Sequence, residues 1–342
     1  MTQRHPSLWS SAPAAHYSGA VSDTQVLAVI IVSYNSNDVL PECLTALDTA
    51  VLNASAVARP VDVVVVDNAS RQRPHLEDGV AIRVRVVDMG RNAGFAPAVN
   101  WGLNCLSKEV SHVLLLNPDA RLTEDALAEL LRVARTRRAA LVGPLLVGEG
   151  GSVNGYSERP FHSVRLEVMR QFLGRGPKAP ASRRALHGGQ ARCLTGACLL
   201  VDAPFLRANG GLDDALPMYL EDVELCAAAH RLGRPVVLAG TARCVHALGG
   251  SSGGDNFSTN STLHLMLLAA RVEFVRRRSR MRGAAMRSVI AFGALMRLAI
   301  VMAKIKNGSL PKHRQVLAWA LRSGRQPAWP PAFVDEMGRP DA

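Results

Sequence analysis

Residues 112–120 read HVLLLNPDA, a short apolar run that stops at Asn117, Pro118 and Asp119. A continuous run of Val and Leu is typical of a strand that is buried on both faces of a parallel sheet. In open sheets of this kind, ligands bind in a crevice at the carboxyl ends of the strands. The stretch therefore predicts a central strand that delivers a carboxylate to a ligand crevice.

Two earlier apolar runs end on polar residues in the same way. LAVIIVSYN ends on Ser33, Tyr34 and Asn35, and VDVVVVDN ends on Asp67 and Asn68. Because the carboxyl ends of parallel strands lie at one edge of a sheet, we expect these side chains to converge. Each aspartate could simply cap the segment after it, but the repeated pattern favours a ligand site.

The converging residues suit two kinds of ligand chemistry. Asp67 could accept hydrogen bonds from a nucleobase N–H or a ribose hydroxyl. Asp119 could bind a divalent cation, which takes oxygen ligands and would neutralise a diphosphate.

Strand-like and helix-like segments alternate between residues 26 and 140, which indicates an α/β fold with a parallel, doubly wound sheet. The loop GRNAG lacks the spacing of a dinucleotide-binding fingerprint. Residues 149–190 are rich in Gly, Arg, Ser and Pro and are expected to be mobile connections around one helix near 164–173. Beyond His264 the pattern is helical.

The second half holds two further candidates. Glu221 and Asp222 stand at the predicted start of a helix, where acids are favoured by the helix dipole. A carboxylate in that place could also accept the proton of an alcohol nucleophile. His246 follows a predicted strand and is either a metal or phosphate ligand or an ordinary buried histidine.

The net charge of +12 is concentrated in one segment. Residues 271–325 contain 14 Lys and Arg and a single acid, Glu273, so the rest of the chain is nearly neutral. A nucleic-acid-binding protein would spread basic residues over its folded domain, so we expect no nucleic-acid partner. The six cysteines form no CxxC pair and are expected to be reduced, which is consistent with the cytoplasm. Residues 1–24 lack the apolar core of a signal peptide and are expected to be a disordered lead.

A basic cluster at residues 276–282 precedes about twenty mostly apolar residues, interrupted by Arg287 and Arg297. This segment could span a membrane, lie in the plane of its surface, or pack on the folded domain. An arginine in the middle of a spanning helix costs ~2.5–3.5 kcal/mol. An in-plane helix on anionic headgroups is therefore favoured, since each near-surface charge contributes about 1 kcal/mol.

Seven motifs in order, VSYNS, VVVVDNAS, GRNAGFAPAVN, LLLNPDA, TGACLLV, GGLDDALPMYLEDVELC and VHALGGSS, cover about residues 26–255. In order and spacing they resemble the family 2 glycosyltransferases of GT-A fold, and within them the bacterial rhamnosyltransferases of cell-wall and lipid-linked glycan assembly. The resemblance implies a Rossmann-like, mixed and mainly parallel sheet flanked by helices, with a basic helical C-terminal extension. The expected division is a GT-A domain at 25–262 (nucleotide-binding half 25–140, acceptor and catalytic half 141–262), a membrane-associating segment at 263–325 and a tail at 326–342.

The resemblance also implies inverting transfer of a sugar from a nucleotide-diphosphate donor to a hydroxyl, assisted by Mg²⁺ or Mn²⁺. Asp222 would be the general base with Glu221 as its neighbour, and Asp119 and His246 would hold the metal. The residues implied to bind the nucleotide-sugar are Ser33, Tyr34, Asn35, Asp67, Asn68, Arg91, Asn92, Gly94 and Asn117. The expected donor is dTDP-rhamnose, with UDP-sugars open. The expected acceptor is a glycan, free or lipid-linked, met from the cytoplasmic face of the cell membrane.

The sequence departs from the family pattern at two positions. Asn117 stands where the family has an acid, so the cation loses one anionic ligand and weak, donor-dependent binding is expected. Ala228 stands where the family often has an arginine, with Arg231 one turn away. The alternative function is therefore a catalytically silent GT-A-like protein that binds a nucleotide-sugar or a glycan.

Overall fold

The computed structural model describes residues 25–153, 157–173, 188–216, 218–246, 261–303 and 310–322. The predicted lead at 1–24, the predicted tail at 326–342 and the GGSS end of the last motif lie outside these ranges.

The described residues form a layered α/β structure. Its strands are β1 (Leu27–Ser33), β2 (Val61–Asp67), β3 (Ile82–Asp88), β4 (His112–Leu116), β5 (Ala120–Leu122), β6 (Leu141–Val147), β7 (Glu158–Arg159), β8 (Gly189–Gln190), β9 (Cys193–Leu194), β10 (Cys198–Asp202) and β11 (Val236–His246). Its helices are α1 (Leu40–Asn53), α2 (Phe95–Asn104), α3 (Ala126–Arg137), α4 (Val164–Phe172), α5 (Ala203–Ala208), α6 (Glu221–Arg231), α7 (Ser261–Arg278), α8 (Arg280–Met302) and α9 (Leu310–Arg322).

The main sheet has the order β3-β2-β1-β4-β10-β6-β11-β5, and β8 also pairs with β11. Strands β3, β2, β1 and β4 are parallel, whereas β10 is antiparallel to both β4 and β6. This confirms the predicted mixed, mainly parallel sheet flanked by helices. The continuous apolar runs of β1 and β4 are buried because helices cover both faces of the sheet.

Strand β10 joins the two halves of the sheet. Its first residue, Cys198, pairs with Leu116 at the end of β4. Immediately beyond that pair, the N–H of Asn117 donates to the carbonyl of Ala197 (2.8 Å). The loop before β10 therefore lies directly against the loop after β4.

All six cysteines are free thiols.

The C-terminal helices pack onto the same core as the sheet. Phe274 of α7 and Met286, Ile290 and Ala294 of α8 are buried in one hydrophobic cluster with Leu199 of β10. Of the three alternatives for the apolar segment after residues 276–282, packing on the folded domain is therefore found for one face of α8.

Helix α4 is tied closely to α8. A Cβ added to Gly293 would lie 2.5 Å from Oε1 of Gln171, so a larger residue would require the side chain of Gln171 to move. Arg297 donates hydrogen bonds to the side chain and carbonyl of the same Gln171. The arginine that made a spanning helix unfavourable thus has an intramolecular partner.

A buried carboxylate connects α4 to α7. The side chain of Glu167 is fully buried, and its Oε2 lies 3.6 Å from Nη1 of Arg271 and 3.9 Å from Nη1 of Arg170. Its Oε1 accepts a hydrogen bond from Nε2 of Gln171 (2.6 Å). Burial lowers the pKa of Arg271 to about 10, because the charged guanidinium loses water.

Replacement of Glu167 by alanine should destabilise the fold strongly. Removing one partner of a buried ion pair leaves an uncompensated charge and costs about 3–5 kcal/mol. Urea unfolding of Glu167→Ala measures this loss. Glu149→Ala is the matched control, because the exposed pair of Glu149 with Arg121 is worth about 1 kcal/mol or less. Equal losses of unfolding free energy in the two variants would contradict a buried ion pair at Glu167.

Candidate active site

A cleft of about 350 Å³ lies at the carboxyl edge of β1 and β4 and is lined by residues from both halves of the fold. The sequence-predicted residues that line it are Tyr34, Asn68, Asn92, Gly94, Asn117, Glu221, Asp222 and His246. The structure thus brings the carboxyl edge of the parallel strands together with the start of α6.

The other predicted residues lie behind or beside the lining. Ser33 is fully buried and Asp67 is 3% exposed. Oδ1 of Asp67 accepts the N–H of Ser70 (3.0 Å), so this aspartate caps the turn after β2. Asn35 braces the same turn, since its Oδ1 accepts the N–H of Arg71 (2.8 Å). Arg91 is exposed on the next loop.

Asn68 shapes the loop that opens helix α2. Its Oδ1 accepts the N–H of Ala93 (2.9 Å), and its Nδ2 donates to Oδ1 of Asn92 (3.1 Å) and to the carbonyl of Gly94 (3.3 Å). Gly94 has a φ of 96°, a backbone conformation that residues with a side chain rarely adopt. One buried amide therefore holds the backbone of this loop against the cleft.

Asp119, Asn117 and His246 form a small polar cluster at one side of the cleft. The antiparallel pairing of β5 with β11 sets Ala120 opposite His246. Nε2 of His246 lies 3.4 Å from Oδ1 of Asp119 and 3.5 Å from Nδ2 of Asn117. Asp119 is buried, and Nδ1 of His246 is buried without a hydrogen-bond partner among the described residues.

The spacing in this cluster fits a divalent cation. Two ligands that each lie about 2.1 Å from one ion at roughly a right angle are about 3 Å apart. The described residues hold no group of three or more His, Cys, Asp and Glu side chains suited to a metal. Phosphate oxygens of a bound nucleotide would therefore have to complete the coordination.

Asp222 lies across the cleft at the start of α6. Its Oδ2 accepts a hydrogen bond from Nη2 of Arg159 (2.5 Å) and another from the N–H of Gly196 (2.9 Å). A Cβ on Gly196 would approach Cβ of Asp222 to 3.3 Å, which is tighter than usual van der Waals contact. A small residue before β10 thus allows the close approach that fixes this carboxylate.

The carboxyl group of Glu221 has a raised pKa. Its Oε2 is buried without a hydrogen-bond partner among the residues described. Burial, followed by the charge of Asp222, raises the pKa of Glu221 to about 8. At neutral pH this side chain is therefore mainly a neutral acid.

The backbone before α6 is strained. Tyr219 and Leu220 both have positive φ, 70° and 66°, although neither is glycine. Such residues cost of order 1–3 kcal/mol each and cluster at active sites and ligand clamps. These two residues form the turn that leads into Glu221 and Asp222.

Arg159 is the main site residue that the sequence did not single out. It lies in the short strand β7, within the Gly- and Pro-rich stretch expected to be mobile connections. A partly buried guanidinium needs an acidic partner, and Asp222 supplies it. Only the fold shows which acid that is, because 63 residues separate the two. Arg231 pairs with Glu224 (3.1 Å) and does not line the cleft.

The sequence and the fold are similar to those of known proteins. Residues 28–193 match the family model described as glycosyl transferase family 2. An N-acetylglucosaminyl-diphospho-decaprenol L-rhamnosyltransferase of Mycobacterium tuberculosis is 30% identical over 259 residues, which are 70% of this chain and 82% of that protein. A low-salt glycan biosynthesis hexosyltransferase of Haloferax volcanii is 25% identical over 211 residues, 60% of this chain and 62% of that protein.

A solved structure supports the fold. The mannosyltransferase of Pyrobaculum calidifontis in complex with GDP-Man and Mn²⁺ superposes with a TM-score of 0.50 at 17% identity, covering 92% of this chain and 83% of that one. The resemblance indicated by the seven motifs is confirmed by the family model and the relatives. The chain belongs to glycosyl transferase family 2, as a rhamnosyltransferase-like glycosyltransferase with a GT-A-type sheet.

Proposed function

We propose that the protein is an inverting glycosyltransferase that moves a sugar from a nucleotide-diphosphate donor to a hydroxyl of a glycan, free or lipid-linked. The carrying observation is that one cleft holds Asp222 and Glu221 on one side and Asn117 and His246, with Asp119 behind them, on the other. The mycobacterial relative is named for rhamnosyl transfer to a diphospho-decaprenol. Rhamnose from dTDP-rhamnose is accordingly our preferred donor, ahead of UDP-sugars.

In this proposal the nucleotide lies along the edge of β1 and β2. Tyr34 lines the cleft and contacts the base, while Asn68 and the loop from Asn92 to Gly94 offer amide and backbone groups to the ribose and diphosphate. Ser33, Asn35 and Asp67 then act mainly by shaping this edge, since they lie outside the lining. Arg91, exposed on the same loop, contributes positive charge to the diphosphate.

Asp119 and His246 would hold Mg²⁺ or Mn²⁺, with Asn117 as a neutral neighbour. A bound cation supplies charge neutralisation for the leaving diphosphate. With one carboxylate in the cluster, its affinity should depend on the phosphates of the donor. This dependence agrees with the weak cation binding expected from Asn117, which stands where the family has an acid.

Asp222 is the proposed general base. Direct displacement with inversion needs one base on the acceptor side, whereas hydrolases flank the bond with two carboxylates. Arg159 pairs with Asp222 and fixes the position of this carboxylate beside the cleft. Arg159 and Gly196 hold Oδ2, which leaves Oδ1, bonded to the N–H of Val223, to take the acceptor proton. The neutral Glu221 beside it can donate a hydrogen bond to the acceptor.

A lipid-linked acceptor would place the protein in the cytoplasm, at the inner face of the cell membrane. The acceptor's anchor stays in the bilayer, so the cleft has to reach the membrane surface.

Asp222→Asn should lower transfer by about 10²–10⁴-fold, the usual contribution of a general base. Donor binding should be kept, because asparagine has the same size and Asp222 lies across the cleft from the residues proposed to hold the nucleotide. Nucleotide release measures transfer, and calorimetry with dTDP-rhamnose measures binding. Asp125→Asn, an exposed residue before α3, is the control and should leave both unchanged. If the unaltered protein binds a nucleotide-sugar and never consumes it, the silent binding protein is the correct alternative.

Mn²⁺ should raise the thermal midpoint only when a nucleotide is present. Thermal shifts with dTDP- and UDP-sugars, each with and without Mn²⁺, measure this dependence and identify the donor. Asp119→Asn and His246→Ala should abolish the added effect of Mn²⁺. An undiminished Mn²⁺ effect in both variants would exclude this cluster as the cation site.

Glu221→Gln should stabilise the protein increasingly as the pH rises. The folded pKa of about 8 lies above the ordinary value of 4.5, so between these values the folded state holds a proton that the unfolded state has lost. Stability from this group is therefore lost as pH rises across that window, and the glutamine variant escapes the loss. Thermal midpoints at several pH values check this against Glu77→Gln, an exposed control. A midpoint difference that does not change with pH would contradict the raised pKa.

A further inference from the structure

Helices α4 and α8 share an exposed apolar surface, here called the apolar face. It consists of Phe172 and Leu173 at the end of α4, and Phe292, Leu295, Met296 and Met302 of α8. Leu295 and Met296 follow Phe292 by three and four residues, and Met302 follows Leu295 by seven, so these residues lie along one side of the helix. The rings of Phe172 and Phe292, 5.6 Å apart, join the two helices.

The exposure of this face is large for such side chains. Met302 is 72% exposed, Leu173 61% and Phe292 54%. Between Ser288 and Ala303 the sequence has one charged residue, Arg297, and that side chain is bonded to Gln171. Contiguous apolar surface of this kind marks a contact with a partner or a membrane.

The opposite side of α8 is already used by the fold. Met286, Ile290, Ala294 and Leu298 are buried against the protein. Among the described helices, α8 is the one that is long and apolar enough to cross a membrane, judged by length and composition. Because one side of α8 packs on the protein, α8 offers a bilayer one face rather than its whole surface.

The charges around the face are positive. Arg276, Arg277 and Arg278 pair with Glu273, Asp213 and Glu224, so these three are neutralised within the fold. The exposed Arg165, Arg280 and Arg282 have no ion-pair partner among the described residues. Arg165, Arg278 and Arg282 also line a hollow of about 270 Å³ where α4 and α8 begin. With a rise of 1.5 Å per residue, Arg282 is about 15 Å along α8 from Phe292.

We infer that the apolar face docks onto an anionic lipid bilayer, with Phe172, Phe292 and Leu295 entering the interface and Arg280 and Arg282 meeting the headgroups. Charge selects this occupant over a second copy of the chain. The exposed Arg165, Arg280 and Arg282 near the face have no ion-pair partner among the described residues, so two copies facing each other would juxtapose like charges. Apolar burial combined with basic residues is how interfacial helices bind anionic lipids.

The face is connected to the cleft through α7. Leu267 of α7 lines the cleft, and α7 packs against α8. A bilayer on this face would hold a lipid-linked acceptor next to the helical part of the protein that contributes to the cleft. In this respect the inference rests on the proposed function.

Co-sedimentation of the full chain with vesicles tests the face directly. Wild type should bind vesicles of phosphatidylcholine with phosphatidylglycerol and should bind phosphatidylcholine alone weakly. Phe292→Ser/Leu295→Ser should weaken binding at least tenfold, because it removes two interfacial anchors. Arg280→Gln/Arg282→Gln should weaken binding and reduce its salt dependence. Leu232→Ser, which alters a leucine 64% exposed outside the face, is the matched control and should bind like wild type.

Three outcomes would overturn the inference. Wild type could stay in the supernatant with anionic vesicles, or the serine double variant could sediment like wild type. Light scattering could also show a wild-type dimer that the double variant abolishes, which would assign the face to a second copy. Thermal midpoints of the variants show whether each is folded.

Activity separates this inference from the proposed function. The serine double variant should transfer the sugar normally to an N-acetylglucosaminyl-diphosphate that carries a short, water-soluble alkyl chain. It should transfer the sugar poorly to the same headgroup on a polyprenol embedded in vesicles. Asp222→Asn should lose both activities. Vesicle binding without transfer by wild type would refute the proposed function and leave the membrane face standing.

Discussion

The antiparallel insertion of β10 between β4 and β6 is the constraint on which the site depends. Its pairing with β4 sets the loop of Thr195, Gly196 and Ala197 beside Asn117. Ala197 of that loop accepts a hydrogen bond from Asn117, and Gly196 donates its N–H to Asp222. Hydrogen bonds of this one loop therefore connect the end of β4 to the start of α6 across the cleft.

Within this frame the two neighbouring acids of α6 have different properties. Asp222 is paired with Arg159, whereas burial raises the pKa of Glu221 and makes it mainly a neutral acid at neutral pH. Tyr219 and Leu220, which both have positive φ, form the turn from which these two acids reach the cleft. Neighbouring acids in different environments are a recurrent way of dividing proton roles in enzymes.

The parallel half of the fold was predictable from sequence, since buried strands such as β4 are plain apolar runs with polar ends. The convergence of Tyr34, Asn68 and Asn117 followed from strand direction alone. Asp67 shows the limit of that reasoning, because a carboxylate at a strand end can cap its own turn, and here it does. Arg159 was hidden because local composition carries no information about a partner in α6. The antiparallel direction of β10 is likewise a tertiary property that hydrophobic periodicity does not encode.

The packing of Phe274, Met286 and Ile290 into the same cluster as the sheet has a practical consequence for handling the protein. A C-terminal deletion made to improve solubility would remove these core side chains. It would also expose the part of the cleft beside Leu267 to water. The exposed positions of α8 can instead be given polar side chains without touching that interior. Solubility of this enzyme is better engineered by resurfacing one helix than by shortening the chain.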